Sequence, residues 1–236
     1  MKQVKWILTG LSGVIVLLSL NRLTNLTQGL LMPAQYLRWQ DFNAMLPLPL
    51  LTVVLYVLLW WNTIGHEKEI KTKHFKVLLI TLAAGIYFFA ASSGLHEVTN
   101  YLNHRYCITS VLEPELCGII GYNDDVFSHE LYYLGLVLMN VALLVSEYVR
   151  PRTQSMTKGD LVVVSANALF IAAGIVANLA FEEIGIDLYV FSALAGLSLY
   201  LLHKRGFKYA HVPIIYYSAM AYTLGVIITL ATQTLS

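Results

Sequence analysis

Apolar residues collect in seven stretches separated by short polar connections: 4–20, 46–61, 77–99, 129–149, 161–184, 188–202 and 212–230. At 1.5 Å of rise per helical residue, each approaches the length needed to cross a hydrocarbon layer about 30 Å thick. The second and sixth are short and call for little tilt or a thinned bilayer. The pattern therefore predicts an all-α, polytopic transmembrane helical bundle with seven spans. Between the first two spans, residues 22–45 are too polar to cross, yet they carry Tyr36, Trp39, Phe42 and Met45. That mixture predicts an interfacial segment at headgroup depth or a lid over a site. Residues 100–128 read as a long outer loop.

Composition agrees with the pattern. Hydrophobic residues make up 57% of the 236 positions and charged residues 12%, with a mean hydropathy of +0.64. Such a chain is hard to keep in water as a globular domain. There is no 20-to-50-residue repeat, no glycine-rich phosphate loop and no Pro- or Ser-rich linker, so one integral membrane domain over 1–236 is the economical reading. No basic patch interleaved with aromatics is present, which leaves nucleic acid out and membrane lipids in as partners.

The net charge is only +1, but the cations are unevenly distributed. Lys2 and Lys5 precede the first span. Lys68, Lys71, Lys73 and Lys76 fill the second connection, Arg150, Arg152 and Lys158 the fourth, and Lys204, Arg205 and Lys208 the sixth. With seven crossings all of these share one side, which the positive-inside rule makes cytoplasmic, with the C-terminus outside. The opposite connections hold only Arg22, Arg38 and Arg105, beside Asp41, Glu113, Glu115, Asp124, Asp125, Glu182, Glu183 and Asp187. Alternatively the first stretch is a secretory signal, although Ser19-Leu20-Asn21 is a poor cleavage site. With no organellar targeting segment, a bacterial or archaeal plasma membrane is the default location. Both cysteines, Cys107 and Cys117, fall in the outer loop, where an oxidising compartment would favour a disulfide.

Chemistry concentrates where the third span ends and the fourth begins. Ser92, His96 and Asn100 are spaced i, i+4, i+8 and form one polar stripe on a helix. Asp125 and His129 share a face if the next helix already starts there, and Asp124 would alternatively cap it. Antiparallel helices would bring His96 and His129 to one depth. With Asp125 they form a candidate ligand set for zinc or another divalent metal, whose bound water would become an available nucleophile. Glu97 and Glu130 are then candidate general bases, and Ser92 a candidate for orienting water or a developing oxyanion.

The plain alternative is that these residues cap helix ends and sit in the headgroup layer. Asn140, Asn167 and Asn178 read as interhelical hydrogen-bonding groups, or, with Glu147 and Glu182, as a polar path for protons or ions. His203 and His211 flank the sixth connection and read as interfacial residues; haem ligands normally lie deeper, so no haem is expected. Retinal is not expected either, because the last span has no lysine for a Schiff base.

The Ser92-x-x-x-His96 element, followed by aspartates entering the next span, resembles part of the signature of the CREST superfamily, seven-span hydrolases that include alkaline ceramidases and adiponectin-receptor-like proteins. The resemblance covers about forty residues. It implies a zinc site that cleaves lipid amides, although the paired His-x-x-x-His of that family's last span is missing and His129 has no counterpart in it. Three functions are thus expected to compete: a metal-dependent hydrolase of a lipid or small substrate at the outer face, a transporter or proton-handling protein using the same polar cluster, and a non-catalytic subunit.

Overall fold

A computed structural model describes residues 2–33, 35–64, 72–109, 111–181 and 185–235. Of the described residues 85% are helical and none forms a strand. In order, the helices are α1 (Lys2–Leu23), α2 (Trp39–Met45), α3 (Pro47–Ile64), α4 (Lys73–Leu102), α5 (Pro114–Gly121), α6 (Ser128–Val149), α7 (Lys158–Phe181), α8 (Ile186–Lys204) and α9 (Pro213–Leu235). Seven helical stretches are long and apolar enough to cross a membrane. Their outward surfaces are apolar too, with Ile80 and Val162 each 67% exposed, as suits a protein solvated by lipid. Lys68, Lys71, Glu182 and Glu183 lie outside the described residues.

The helices outrun the apolar stretches because hydropathy marks hydrocarbon depth, whereas hydrogen bonding sets where a helix ends. Residues 100–128, expected as a loop, are helical on both sides of a break at 108–113. α4 continues through a π-helical turn, Asn103–Cys107, and α5 leads into a second one, Tyr122–Phe127, which runs straight into α6. Pro114 opens α5 at a position where its missing N–H costs nothing. The sulfurs of Cys107 and Cys117 stand at disulfide distance, their Cα atoms 5.5 Å apart, and join the two helical arms.

Two compact units emerge, and their boundary falls inside α1, α3, α4 and α6. One comprises 1–12, 55–82 and 137–236. Within it, Ser12 donates to Asn167 Oδ1 at 2.7 Å and Asn167 donates to Thr9 at 3.0 Å, tying α1 to α7. Tyr222 donates to Asn140 at 3.0 Å, and Asn178 donates to Asp187 at 3.3 Å. α9 packs so closely on α7 that a Cβ added at Gly225 would lie 2.8 Å from the Ile175 side chain.

Glu147 is fully buried and accepts hydrogen bonds at 2.8 Å from the backbone N–H groups of both Ile214 and Ile215. These are among the first amides of α9, which have no partner inside the helix. The Arg152 Nε lies 3.7 Å from the same carboxylate. Burial pushes the Arg152 guanidinium below its usual value, and Glu147 opposes that shift.

The other unit comprises 13–54 and 83–136. α2 is fastened by an Arg38–Asp41 pair with contacts of 2.8 and 2.7 Å, and by Asn21 donating to the Gln40 carbonyl at 2.8 Å. α4 and α6 meet where Gly135 has room for no side chain: an added Cβ would stand 2.6 Å from the Phe89 nitrogen and 2.8 Å from the Gly85 oxygen. Small residues at such crossings let helix backbones touch.

Candidate acid–base site

The Gly135–Phe89 crossing sets the position of the candidate residues. His96 lies seven residues beyond Phe89 on α4, and His129 lies six residues before Gly135 on α6. In antiparallel helices these offsets amount to about 10 Å and about 9 Å on the same side of the crossing. The two imidazoles accordingly stand together, with ring centroids 5.2 Å apart and planes inclined by 49°.

The carboxylate beside them is Asp124, which corrects the expectation for Asp125. Asp124 is buried, whereas Asp125 is exposed. The π-helical turn is the reason. The Ser128 N–H reaches back to the Asn123 carbonyl, an i→i+5 bond, so this turn holds more residues than an α-turn and the face of α6 is extended by Asp124. Single π-turns of this kind recur at functional sites.

Asp124 Oδ1 lies 3.0 Å from His96 Nδ1 and accepts from the Thr99 hydroxyl at 3.1 Å. Ser128, wholly buried, donates its hydroxyl to the Asp124 carbonyl. Asp124 is thus held through one carboxylate oxygen and its backbone carbonyl, and the same carboxylate oxygen meets the imidazole at Nδ1. His96 keeps 23% of its side-chain surface open against 5% for Asp124. A carboxylate that orients one imidazole nitrogen and leaves the other free is the arrangement that general bases use.

The remaining candidates fall into different places. Ser92 is buried and donates to the Ser128 carbonyl at 2.8 Å, so its proton is committed to holding α4 against α6 and is not available to an oxyanion. Glu97 is only 3% exposed and accepts from Arg22 on α1; its Oε2 has no hydrogen-bond partner among the described residues. That contact ties α1 to α4 through Glu97. Glu130 is exposed on the turn after His129. Nothing local foretold the Arg22 partner, which is 75 positions away in sequence.

Among the described residues no three His, Cys, Asp or Glu side chains gather as a metal-holding group. Asp124 is engaged with His96 and Thr99, Asp125 points to solvent, and the expected His96, His129 and Asp125 shell is therefore not assembled. Among the described residues these side chains do not fit a three-ligand zinc site.

A cavity of about 530 Å³ opens further along α4, lined by Gln28, Leu30, Arg38, Tyr101, His104 and Arg105. Tyr101 lies under the Arg38 and Arg105 guanidinium groups, at 5.8 and 5.6 Å from its centroid. Compared with models of known protein families, with curated proteins and with solved structures, the chain matches none.

Proposed function

We propose that this chain is a multi-pass membrane hydrolase in which His96, oriented by Asp124 and accompanied by His129, activates water against an ester or amide of a lipid or small substrate. The observation that carries the reading is the 3.0 Å contact between His96 Nδ1 and Asp124 Oδ1, with the His129 ring alongside. In the proposed step His96 Nε2 takes a proton from water while the water oxygen bonds to the carbonyl carbon. The resulting imidazolium is stabilised by Asp124, and its proton passes to the departing alcohol or amine as the carbon–heteroatom bond breaks. His129 supplies a second ring N–H toward the carbonyl oxygen. Asp124 and Thr99 are positioning residues, and base catalysis of this kind contributes about 100-fold to 10,000-fold.

The cation-rich connections support an N-terminus in the cytoplasm, with the His96 cluster at the outer face of a plasma membrane. A substrate from the outer leaflet would suit that depth. The transport reading draws on Asn140 and Glu147, but Glu147 is committed to the α9 amides and Asn140 to Tyr222. Hydrolysis is the better supported of the two.

The test is a panel of acylglycerols, N-acyl amides and short-chain and long-chain acyl esters, presented to the detergent-purified chain. Acyl release by the wild type that falls at least about 100-fold in His96→Gln supports hydrolysis. No release from any member, together with proton flux into proteoliposomes that His96→Gln abolishes, would replace it with the transport reading.

A further inference from the structure

A second cavity, again about 530 Å³, belongs to the unit that contains α7, α8 and α9, and its chemistry is unlike that of the His96 cluster. Arg152, Lys204, Arg205, Lys208 and His211 line it, and among the described residues no carboxylate does. Glu147 answers Arg152, but Lys204 and Arg205 face aromatic rings in place of anions: Lys204 Nζ is 5.5 Å from the Tyr200 centroid and Arg205 is 4.7 Å from that of Tyr148. Three cations in one concavity focus a positive potential that an anion relieves.

The backbone builds this cluster. α8 ends in a tight reversal in which the Gly206 N–H donates to the His203 carbonyl at 2.8 Å and the Phe207 N–H to the Leu202 carbonyl at 3.0 Å. Gly206 adopts φ +61°, the left-handed conformation that glycine takes without steric cost. This reversal sets Lys204, Arg205 and Lys208 around one turn. Across from them the Arg152 N–H donates to the His211 carbonyl at 2.9 Å, and His211 Nδ1 lies 2.8 Å from the Arg152 carbonyl, which closes the wall. Arg205 is held over Tyr148 and also donates to the Tyr148 carbonyl, so its guanidinium is oriented before a ligand arrives. Among the described residues the buried Nε groups of Arg152 and Arg205 have no hydrogen-bond acceptor, Arg152 Nε standing 3.7 Å from Glu147.

We propose that this cavity binds a phosphate-bearing anion, foremost the headgroup of an anionic phospholipid. Phosphate suits a mixed set of planar guanidinium forks and point-charge ammonium groups. The cavity sits where α8 ends and α9 begins, at the ends of two membrane-crossing helices and so at headgroup level. Exposed Tyr200, Phe207 and Tyr209 lie close in sequence to its lysines and arginine, as aromatic residues do at the membrane–water boundary. Basic pockets between transmembrane helices bind acidic headgroups on the same grounds.

The experiment uses the full chain in a neutral detergent and follows its thermal unfolding midpoint. Phosphatidylglycerol is compared with phosphatidylcholine, and inorganic phosphate with chloride at matched ionic strength. Wild type is set beside the Lys204→Gln/Lys208→Gln pair and the charge-preserving Lys204→Arg/Lys208→Arg pair. Phosphatidylglycerol raises the midpoint of wild type and of the arginine pair. The glutamine pair needs about 30-fold more lipid for the same shift, the ratio that corresponds to about 1 kcal/mol per basic residue at a membrane surface. A rise with phosphatidylglycerol alone identifies the headgroup, and an equal rise with inorganic phosphate identifies the free anion; both support the site. A glutamine pair that responds like wild type overturns the proposal, as does a wild type that distinguishes neither phosphatidylglycerol nor phosphate from its control.

Discussion

Glu147 and Asp124 are two buried carboxylates with opposite partners. Glu147 gives one oxygen to two backbone amides at the start of α9, and those amides never change protonation or move. Asp124 gives one oxygen to a threonine and to a partly exposed imidazole. The first arrangement closes a helix end and joins two helices. The second keeps a proton-carrying group at a chosen angle beside solvent. Burial alone therefore does not tell these two arrangements apart; the partner does.

Removing Glu147 should produce the largest effect. Glu147→Ala leaves two buried N–H donors without their acceptor and Arg152 without its counter-charge, and a loss of about 3 to 5 kcal/mol in unfolding free energy is expected. Chemical denaturation in detergent measures it. Asp124→Asn should divide the two properties the other way. Acyl release per folded molecule falls at least about 100-fold, equivalent to about 2.7 kcal/mol of barrier, while stability changes by less than about 1.5 kcal/mol. An Asp124→Asn protein that fails to fold would place Asp124 in the same structural class as Glu147.

Next come the two glycine crossings. Gly135→Ala drives a Cβ against the Phe89 and Gly85 backbone, so α4 and α6 must separate; we expect about 1 to 3 kcal/mol of destabilisation and weaker turnover. Gly225→Ala brings a Cβ within 2.9 Å of the Ile175 Cβ, which no rotamer moves, so α7 and α9 must shift; about 1 to 3 kcal/mol of destabilisation is expected, with turnover intact because the His96 cluster lies elsewhere. Melting temperatures and acyl release on both variants check the pair. The smallest effects belong to the exposed acids: Asp125→Asn and Glu130→Gln should stay within about 0.5 kcal/mol of wild type and retain activity. Loss of activity in Asp125→Asn with retention in Asp124→Asn would invert the assignment.

The same contrast explains how much was legible beforehand. Seven crossings could be read from apolar run length, because lipid thickness constrains every span alike. His96 and His129 were readable as a pair because antiparallel spans joined by a connection must bring their adjoining ends to one depth. Asp124 was not, since an α-helical period assigns the shared face to Asp125 and only the π-turn shifts it. Glu97 looked like a base because its arginine lies on another helix, and Ser92 looked free because a hydroxyl bound to a distant carbonyl leaves no sequence pattern. The helical arms around 108–113 were hidden for a related reason: they are too polar to register as spans.

The most direct test of the acid–base assignment is the tautomer of His96, read by ¹⁵N NMR of histidine-labelled protein in lipid nanodiscs and assigned through His96→Gln. Free neutral imidazole side chains carry the proton mainly on Nε2. The predicted result is a His96 protonated at Nδ1, facing Asp124, which reverts to the ordinary form in Asp124→Asn. A wild-type His96 with its proton on Nε2, or a tautomer that Asp124→Asn leaves unchanged, would contradict the account.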